Sequence, residues 1–593
     1  MRRPAAAAAL LAAACCPFAV GASPAAQALQ GYSGLLTVPD GGALAEGTLD
    51  FQFNTDRDTD ARERIDSVNN FVLLAGVWRG LELGARVSDA PEGGRGDLSG
   101  SAKWRLFRHK GWSAALGVTD FAGDAQQLRA AYGAVDWRAG NWQLTGGFGL
   151  GPDRLDGAFG GIAYRIGSVF QLLADHDGNA AHAGVRAAWR FGPGLSIYGI
   201  GKLSTDERQG ASAGVGLSWS PTARRPLQRR VDPHADAPRP VRRVVDSTRT
   251  PRNSLYALRE ASESLPAPTQ LVEYRYGVPL RAIDVAPDPL AVAGDLRPAA
   301  VRWQASGLDW RSLWQDQRIG LELRFEPDLR TAVATEVGLL DYSLALQSSA
   351  RLQLPLGLGG YVSVDTPIDH SDDVAPGGVY SHFRHDSGLH QAAVQWAVHP
   401  LPGLVGLNTV GRTEVEEIAY DMQHLDWVLH SPGGTHQLRL AWAEFQPHDE
   451  LNFAPRRTRV AGYRYWWTGG ELALRADYGE FFYGDRGGRL QLDRYMGNVI
   501  LSLVYREREN GEQEGGMQLT MPLTTRPWHW GRLRVTGAPS WSYRLNTTIG
   551  GPGDANILRR GFLLEPMPQF TLSRDLLDAD RAFPDYAGRQ EQE

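Results

Sequence analysis

The densest run of residues able to do chemistry lies between 365 and 390. Asp365, Asp369, His370, Asp372, Asp373, His382, His385, Asp386 and His390 crowd together there. Imidazoles and carboxylates at this density are the raw material of a metal site, but a closed site also needs ligand pairs at short fixed spacings. That pairing is absent, and Pro376-Gly377-Gly378 interrupts the run with a turn signal. The expectation is a polar loop and lumen wall, with no metal and no cofactor. A second possibility is the carboxylate group Glu414, Glu416 and Glu417. Two carboxylates flanking a sugar bond are the machinery of glycoside hydrolysis, yet charges at strand ends are far more often simply solvated. No nucleophile elbow, phosphate-cradling glycine loop, zinc-protease helix or catalytic cysteine is present. No catalytic residue is assigned, and the chain is not expected to be an enzyme.

The elements that would carry these residues begin with an export signal. Arg2 and Arg3 supply a basic start, and Ala5 to Ala14 an apolar stretch too short to span a bilayer. Small residues then offer two cleavage positions, after Ala22 (Val20-Gly21-Ala22) and after Ala28 (Ala26-Gln27-Ala28). Both cysteines, Cys15 and Cys16, fall inside this segment, so cleavage at either position leaves no thiol or disulfide chemistry. Ala12-Ala13-Ala14-Cys15 is a weak lipobox, which makes Cys15 a candidate lipidation site.

Beyond the signal, apolar residues are 42 % and charged residues 22 % of the 593, which excludes disorder without choosing a fold. The 69 Gly and 18 Trp suit short strands, tight turns and interfacial rings. A net charge of −6 argues against a nucleic-acid partner, since a phosphate-binding surface needs a basic excess. Only three residues are Lys (Lys103, Lys110 and Lys202), which reads as genome composition. No run of eighteen apolar residues follows the signal, but barrel strands need only about 9 to 11 residues of alternating character.

That alternation recurs from 46 to 219. Leu81–Val87, Ala102–Leu106 and Val185–Phe191 place apolar side chains on every second position. Turn clusters such as 90–96, 139–141 and 175–179 separate the runs, predicting about eleven or twelve strands. Alternation alone does not separate a soluble sandwich from a membrane barrel. Trp78, Trp104, Trp137, Trp142, Trp189 and Trp219 sit near the ends of runs, where a headgroup layer would select them, so the barrel is preferred. From Pro221 to Pro251 six Pro and eight Arg mark a linker. A helix candidate at Ser254–Leu265 and strand-like pieces at Leu271–Tyr276 and Val278–Ile283 follow. Alternation resumes near Ile319 and runs to about Leu572, enough for roughly twelve to fifteen more strands. The expected architecture is all-β, two tandem transmembrane antiparallel barrels. The divisions are signal peptide 1–28, first barrel 29–220, linker and small periplasmic segment 221–310, second barrel 311–575 and polar tail 576–593.

Gly484-Asp485-Arg486-Gly487-Gly488 is a turn signal between two strand runs. The stretch containing it, Leu472 to Arg494, together with Met517–Leu523, resembles the C-terminal half of the YjbH family. Gly31–Asp40 (GYSGLLTVPD) and Gly47–Phe51 resemble that family's N-terminal segment. Members are outer-membrane proteins encoded with exopolysaccharide or group 4 capsule export systems. The resemblance implies two membrane barrels, a place in the outer membrane of a Gram-negative cell, and partners among outer-membrane lipid, polysaccharide and other exopolysaccharide export proteins. It supplies no catalytic residue to carry over. Three readings of function stand: a transport or assembly component for surface polysaccharide, a structural or adhesion barrel with filled lumens, and an outer-membrane enzyme acting on polysaccharide or lipid.

Overall fold

The alternating stretches fold as β-strands in a computed structural model of the chain. It describes residues 27–549 apart from 57–68, 89–96, 122–128, 207–209, 221–240, 247–268, 276–277, 288–300, 307–318, 334–339, 382–383, 416–417, 432–435, 449–453, 468–471, 497–498, 524–527, 539–540 and the single positions 79, 153, 193, 402 and 522. The chain divides into two compact units near residue 225.

The strands of the first unit are β1 (Leu49–Asn54), β2 (Asn70–Trp78), β3 (Leu81–Ser88), β4 (Asp97–His109), β5 (Trp112–Thr119) and β6 (Ala130–Ala139). They continue with β7 (Trp142–Leu150), β8 (Gly157–Ile166), β9 (Phe170–His176), β10 (Ala181–Gly192), β11 (Leu195–Ser204) and β12 (Ala211–Trp219). Each pairs antiparallel with its sequence neighbours, and β1 closes on β12 from Leu49↔Trp219 to Asn54↔Gly214. Closure satisfies every edge, which is what lipid demands of a spanning sheet. Tight turns join the strands at one rim. At Lys110 (φ 48°) and Gly111 (φ 85°) both central residues are left-handed, the geometry that matches the twist of a two-residue hairpin.

The direction of the alternation decides between sandwich and barrel. Phe51, Phe53, Trp104, Leu116, Val118, Phe148, Leu172 and Val215 point outward and are exposed. Glu82, Lys103, Asp136, Asp175, Arg186 and Lys202 point inward and are buried. A water-soluble sandwich would reverse that arrangement; a membrane barrel requires it. All six tryptophans singled out above, with Trp112, lie toward the rim of short turns, where Trp112 faces Trp137 and Trp142 faces Tyr164 across strand pairs. They cluster toward one end of the barrel, as an interfacial layer selects.

In the second unit a four-stranded sheet comprises β13 (Val241–Asp246), β14 (Thr269–Arg275), β15 (Val278–Pro287) and β16 (Val301–Ser306). β13 runs parallel to β14, and the other pairs are antiparallel. The helix candidate Ser254–Leu265 lies outside the described residues. The larger sheet has fifteen strands. It begins with β17 (Gly320–Val333), β18 (Leu340–Gln353), β19 (Leu358–His370), β20 (Gly388–Leu401), β21 (Leu404–Val415), β22 (Ile418–His430) and β23 (His436–Pro447). It continues with β24 (Arg456–Trp467), β25 (Leu472–Glu480), β26 (Arg486–Met496), β27 (Val499–Arg508), β28 (Gln513–Met521), β29 (Trp528–Trp530), β30 (Leu533–Thr536) and β31 (Trp541–Ile549). Its faces are divided as in the first unit: Leu352, Val394, Leu438, Leu440 and Leu474 are exposed on one, while Arg439–Asp426 (2.8 Å) and Arg489–Asp477 (2.6 Å) pair on the other.

The expected second closed barrel is not what the ladder shows. β30 runs parallel to β17 along Leu321–Arg324, and β31 pairs with β28 alone among the described strands. Among the described residues, β17 and β31 are joined by bonds that side chains make: Trp541 Nε1 donates to the Pro327 carbonyl (2.6 Å), and the Thr331 and Tyr543 hydroxyls share a hydrogen bond (2.9 Å). The short β29–β30 hairpin occupies part of the seam where a backbone ladder would close.

Candidate functional site

Residues 27–46 come before the first strand and have no alternation of their own. They lie inside the first barrel. The segment touches the wall on β3, β4, β9 and β10, positions spread around a closed ring, and a segment can do that only from within the lumen. Its backbone folds on itself through two isolated bridges, Gln27↔Ser33 and Gly34↔Pro39. Gly34 is required there, since a Cβ would stand 2.2 Å from the Val38 carbonyl oxygen. Leu29, Leu35, Leu36 and Val38 pack against Tyr132, Phe159, Leu173 and Ile200, an apolar patch on an otherwise polar wall.

Three charged wall side chains, Arg186, Asp175 and Glu82, bind neutral backbone of the plug. Arg186 donates to the carbonyls of Gln27 (3.0 Å), Gly34 (3.1 Å) and Leu35 (2.7 Å). Asp175 accepts from the backbone N–H of Leu36 (2.8 Å), Thr37 (2.8 Å) and Val38 (3.3 Å), and from the Thr37 hydroxyl (3.0 Å). Glu82 accepts from the N–H groups of Ser33 and Leu44, both at 2.8 Å. These bonds satisfy backbone groups that a loop buried without secondary structure would otherwise leave unpaired.

Two ion clusters bracket the plug. Toward the rim of short turns, Lys103 Nζ donates to the Ser33 carbonyl (2.6 Å) and hydroxyl, and lies 3.1 Å from Asp40 and 3.2 Å from Glu82. Arg138 bridges Asp40 and Asp136, each at 2.7 Å. Toward the opposite rim Asp56, just beyond β1, pairs with Lys202 and with Arg154 (3.0 Å) and accepts from Gln30 (2.5 Å). Burial alone would raise both carboxyls. Lys103 and Arg138 outweigh it and hold Asp40, on the plug, down at about 2. Lys202 and Arg154 hold Asp56 well below the usual carboxylate range. Lys103 and Lys202, read from composition as incidental, are thus the central cations of the two clusters. The signal that points to them is positional: both occupy inward slots of alternating strands.

The residues singled out in the sequence do not form one centre. Asp365 on β19 accepts from Gln347 (3.0 Å) and lies 3.5 Å from His390 on β20. Asp369 accepts from the Tyr342 hydroxyl (2.7 Å) and the His370 N–H (3.0 Å), on the exposed side. Asp372 and Asp373 begin a 3-10 turn, and Asp386 pairs with Arg384 (2.7 Å). His385 is buried between Asp328 (Nε2, 2.9 Å) and Ser343 (Nδ1, 2.8 Å). That Ser–His–Asp composition is a pin for the segment between β19 and β20. Ser343 is 2 % exposed and its hydroxyl also accepts the His385 N–H (3.0 Å), an arrangement that buries the hydroxyl rather than presenting it to a substrate. Among the described residues no three His, Cys, Asp or Glu side chains group as a metal-binding set. Glu414 stands on β21. His382, Glu416, Glu417, Cys15, Cys16 and Ala22 lie outside the described residues, whereas Ala28 is fully buried and donates its N–H to the Tyr32 carbonyl (2.8 Å).

No family model and no curated protein matches the chain. Among solved structures it is similar to a KdgM porin, at 11 % identity and a TM-score of 0.23 over 29 % of this chain and 98 % of that one. It is also similar to the P pilus usher (PapC) translocation pore, at 10 % identity and a TM-score of 0.19 over 78 % and 96 %. A third is OccK9 (OpdG) of Pseudomonas aeruginosa, at 9 % identity and a TM-score of 0.13 over 75 % and 92 %. At this similarity the reading of function rests on the chain's own geometry.

Proposed function

We propose that the chain is a non-catalytic protein of a Gram-negative outer membrane, acting in the production or export of surface polysaccharide. The observation that carries the membrane reading is the direction of the first barrel's faces: closed, apolar outside, charged within. The likeness to the YjbH family supports the polysaccharide role. The residues bearing that likeness are the plug and first strand at one end and the β25–β26 hairpin with β28 at the other. A tandem pair of barrels remains part of this proposal, with the second sheet closing through its β17–β31 seam.

A second reading, a structural or adhesion barrel, is favoured by one observation: the first lumen is filled. Two measurements separate them. Fractionated cells should yield the protein in the outer membrane, running faster on gels when unheated; recovery as soluble periplasmic protein would sink the membrane reading. A deletion strain and its complement should differ in extracellular glycan while retaining lipid-linked precursors. Unchanged glycan under inducing conditions would leave the structural reading standing, and lost precursors would point to an enzyme.

A further inference from the structure

We propose that the first barrel is a latent pore and that residues 27–46 are its gate. A filled lumen has two explanations, a permanent core or a removable plug, and the bonding pattern separates them. The wall's ladder is complete without the plug, because β1 pairs directly with β2 and β12 and every other strand with its neighbours. The plug's two bridges are internal, so it contributes no strand to the wall. The groups that hold it, Glu82, Asp175, Arg186 and Lys103, are charged side chains whose bonds water can replace when the plug withdraws.

The space left behind is large enough to conduct. Twelve strands spaced about 4.8 Å apart and tilted about 40° close at a backbone radius of about 12 Å. Subtracting about 5 Å for a layer of side chains leaves a bore roughly 14 Å across. The plug leaves the lumen at the short-turn rim, through a turn with Gly47 at φ 80° where the Gly47 N–H donates to Gly76 O (2.8 Å). Glycine leaves the backbone of this turn freer than any other residue would, which gives the segment a point about which to swing. One feature resists opening, the apolar patch of Tyr132, Phe159, Leu173 and Ile200 against the plug's leucines. It keeps the pore shut at rest and makes opening depend on a pull or a displacing ligand. The proposal does not rest on the polysaccharide role, since conductance is read with simple salt.

The test compares three chains, each first shown to be folded by its shift on unheated gels: the full chain, the chain lacking 27–46, and the full chain carrying Asp175→Ala with Arg186→Ala. Each is inserted into planar bilayers in potassium chloride. Whatever the second unit conducts is common to all three. The truncated chain should add a discrete conductance step that the full chain lacks, and synthetic peptide 27–46 should block it; leakage from misfolding would not be blocked. The anchor variant should flicker between the two levels. A folded truncated chain that conducts like the parent overturns the proposal. If the truncated chain does not fold, the anchor variant decides: a trace indistinguishable from the parent's overturns it as well.

Discussion

Replacing Lys103 on β4 with Met removes a charge from the wall where it grips the plug, while nearly preserving side-chain length. The Lys103 side chain is fully buried, with its ammonium 3.1 Å from Asp40, 3.2 Å from Glu82 and 2.6 Å from the Ser33 carbonyl. Removing one partner of a buried pair costs about 3 to 5 kcal/mol, because it strands the other charge. Here two carboxylates are affected, but neither is abandoned. Asp40 keeps Arg138 at 2.7 Å, and Glu82 keeps the N–H groups of Ser33 and Leu44. The lower end, about 3 kcal/mol, is therefore expected, a shift of about a hundredfold in the open population of the plug. Val38, which is fully buried in the plug, provides the reporter. In a chain with Val38→Cys and with Cys15 and Cys16 replaced by Ser, a small thiol reagent should label about a hundredfold faster once Lys103→Met is added, under conditions where closing outruns labelling. Adding Glu82→Gln should recover much of the protection, since it removes the stranded charge. Labelling within about threefold of the parent would refute the reasoning, since a cost of 3 kcal/mol cannot hide in so small a change.

Acid should loosen the plug in a particular window. Asp40 is held at about 2, below its unfolded value, so its contribution is fully present above pH about 4 and disappears as pH falls toward 2. Labelling of the same reporter, taken at each pH as a ratio to the rate in the denatured chain so that thiol ionisation cancels, should be flat from pH 8 to about 5 and rise below about 4, and Asp40→Asn should remove most of the rise; a rise between pH 8 and 6 would assign it elsewhere. N-terminal sequencing of the mature protein should begin at Ser23 rather than Leu29. Cleavage after Ala28 would discard the Gln27 carbonyl that Arg186 binds and the buried Ala28. His385→Ala should speed proteolysis of the segment between β19 and β20 by freeing it from Asp328 and Ser343, with surface glycan unchanged. Asp369→Ala and His370→Ala should be silent in both assays, and a loss of glycan in any of the three would revive the enzyme reading.

The strands were legible because their signal is local. Leu81–Val87 alternates within seven residues, and β3 occupies Leu81–Ser88. Of the strand-like pieces expected at Leu271–Tyr276 and Val278–Ile283, the first falls on β14 as far as Arg275, Tyr276 lying outside the described residues, and the second falls on β15. Alternation does not say which face meets lipid, and the ends of the runs, with Trp at Trp137 and Trp142, gave the better clue. The plug escaped notice for a physical reason. Gly31–Asp40 has turn-like composition and no period, and its burial depends on Asp175 and Arg186 more than a hundred residues away. The Asp365–His390 run misleads in the opposite sense. Neighbours in sequence, its side chains point to different strands, with His385 reaching back to β17 while Asp369 faces outward to Tyr342.

The pairing of β1 with β12 also has a consequence for the order of assembly. The ring cannot shut until residue 219 has been made, and the contact between Gln27 and Tyr198 spans 171 positions of chain. Contacts of such separation form late, after the loop-closure entropy has been met by nearer hairpins. The eleven hairpin pairings can zip up as a curved ribbon, with the N-terminal segment lying loose on its concave side. The step that joins first strand to last then also encloses the segment. A barrel made this way is loaded from the moment it closes, and a chain whose early residues are delayed or trapped by another partner would shut around water instead.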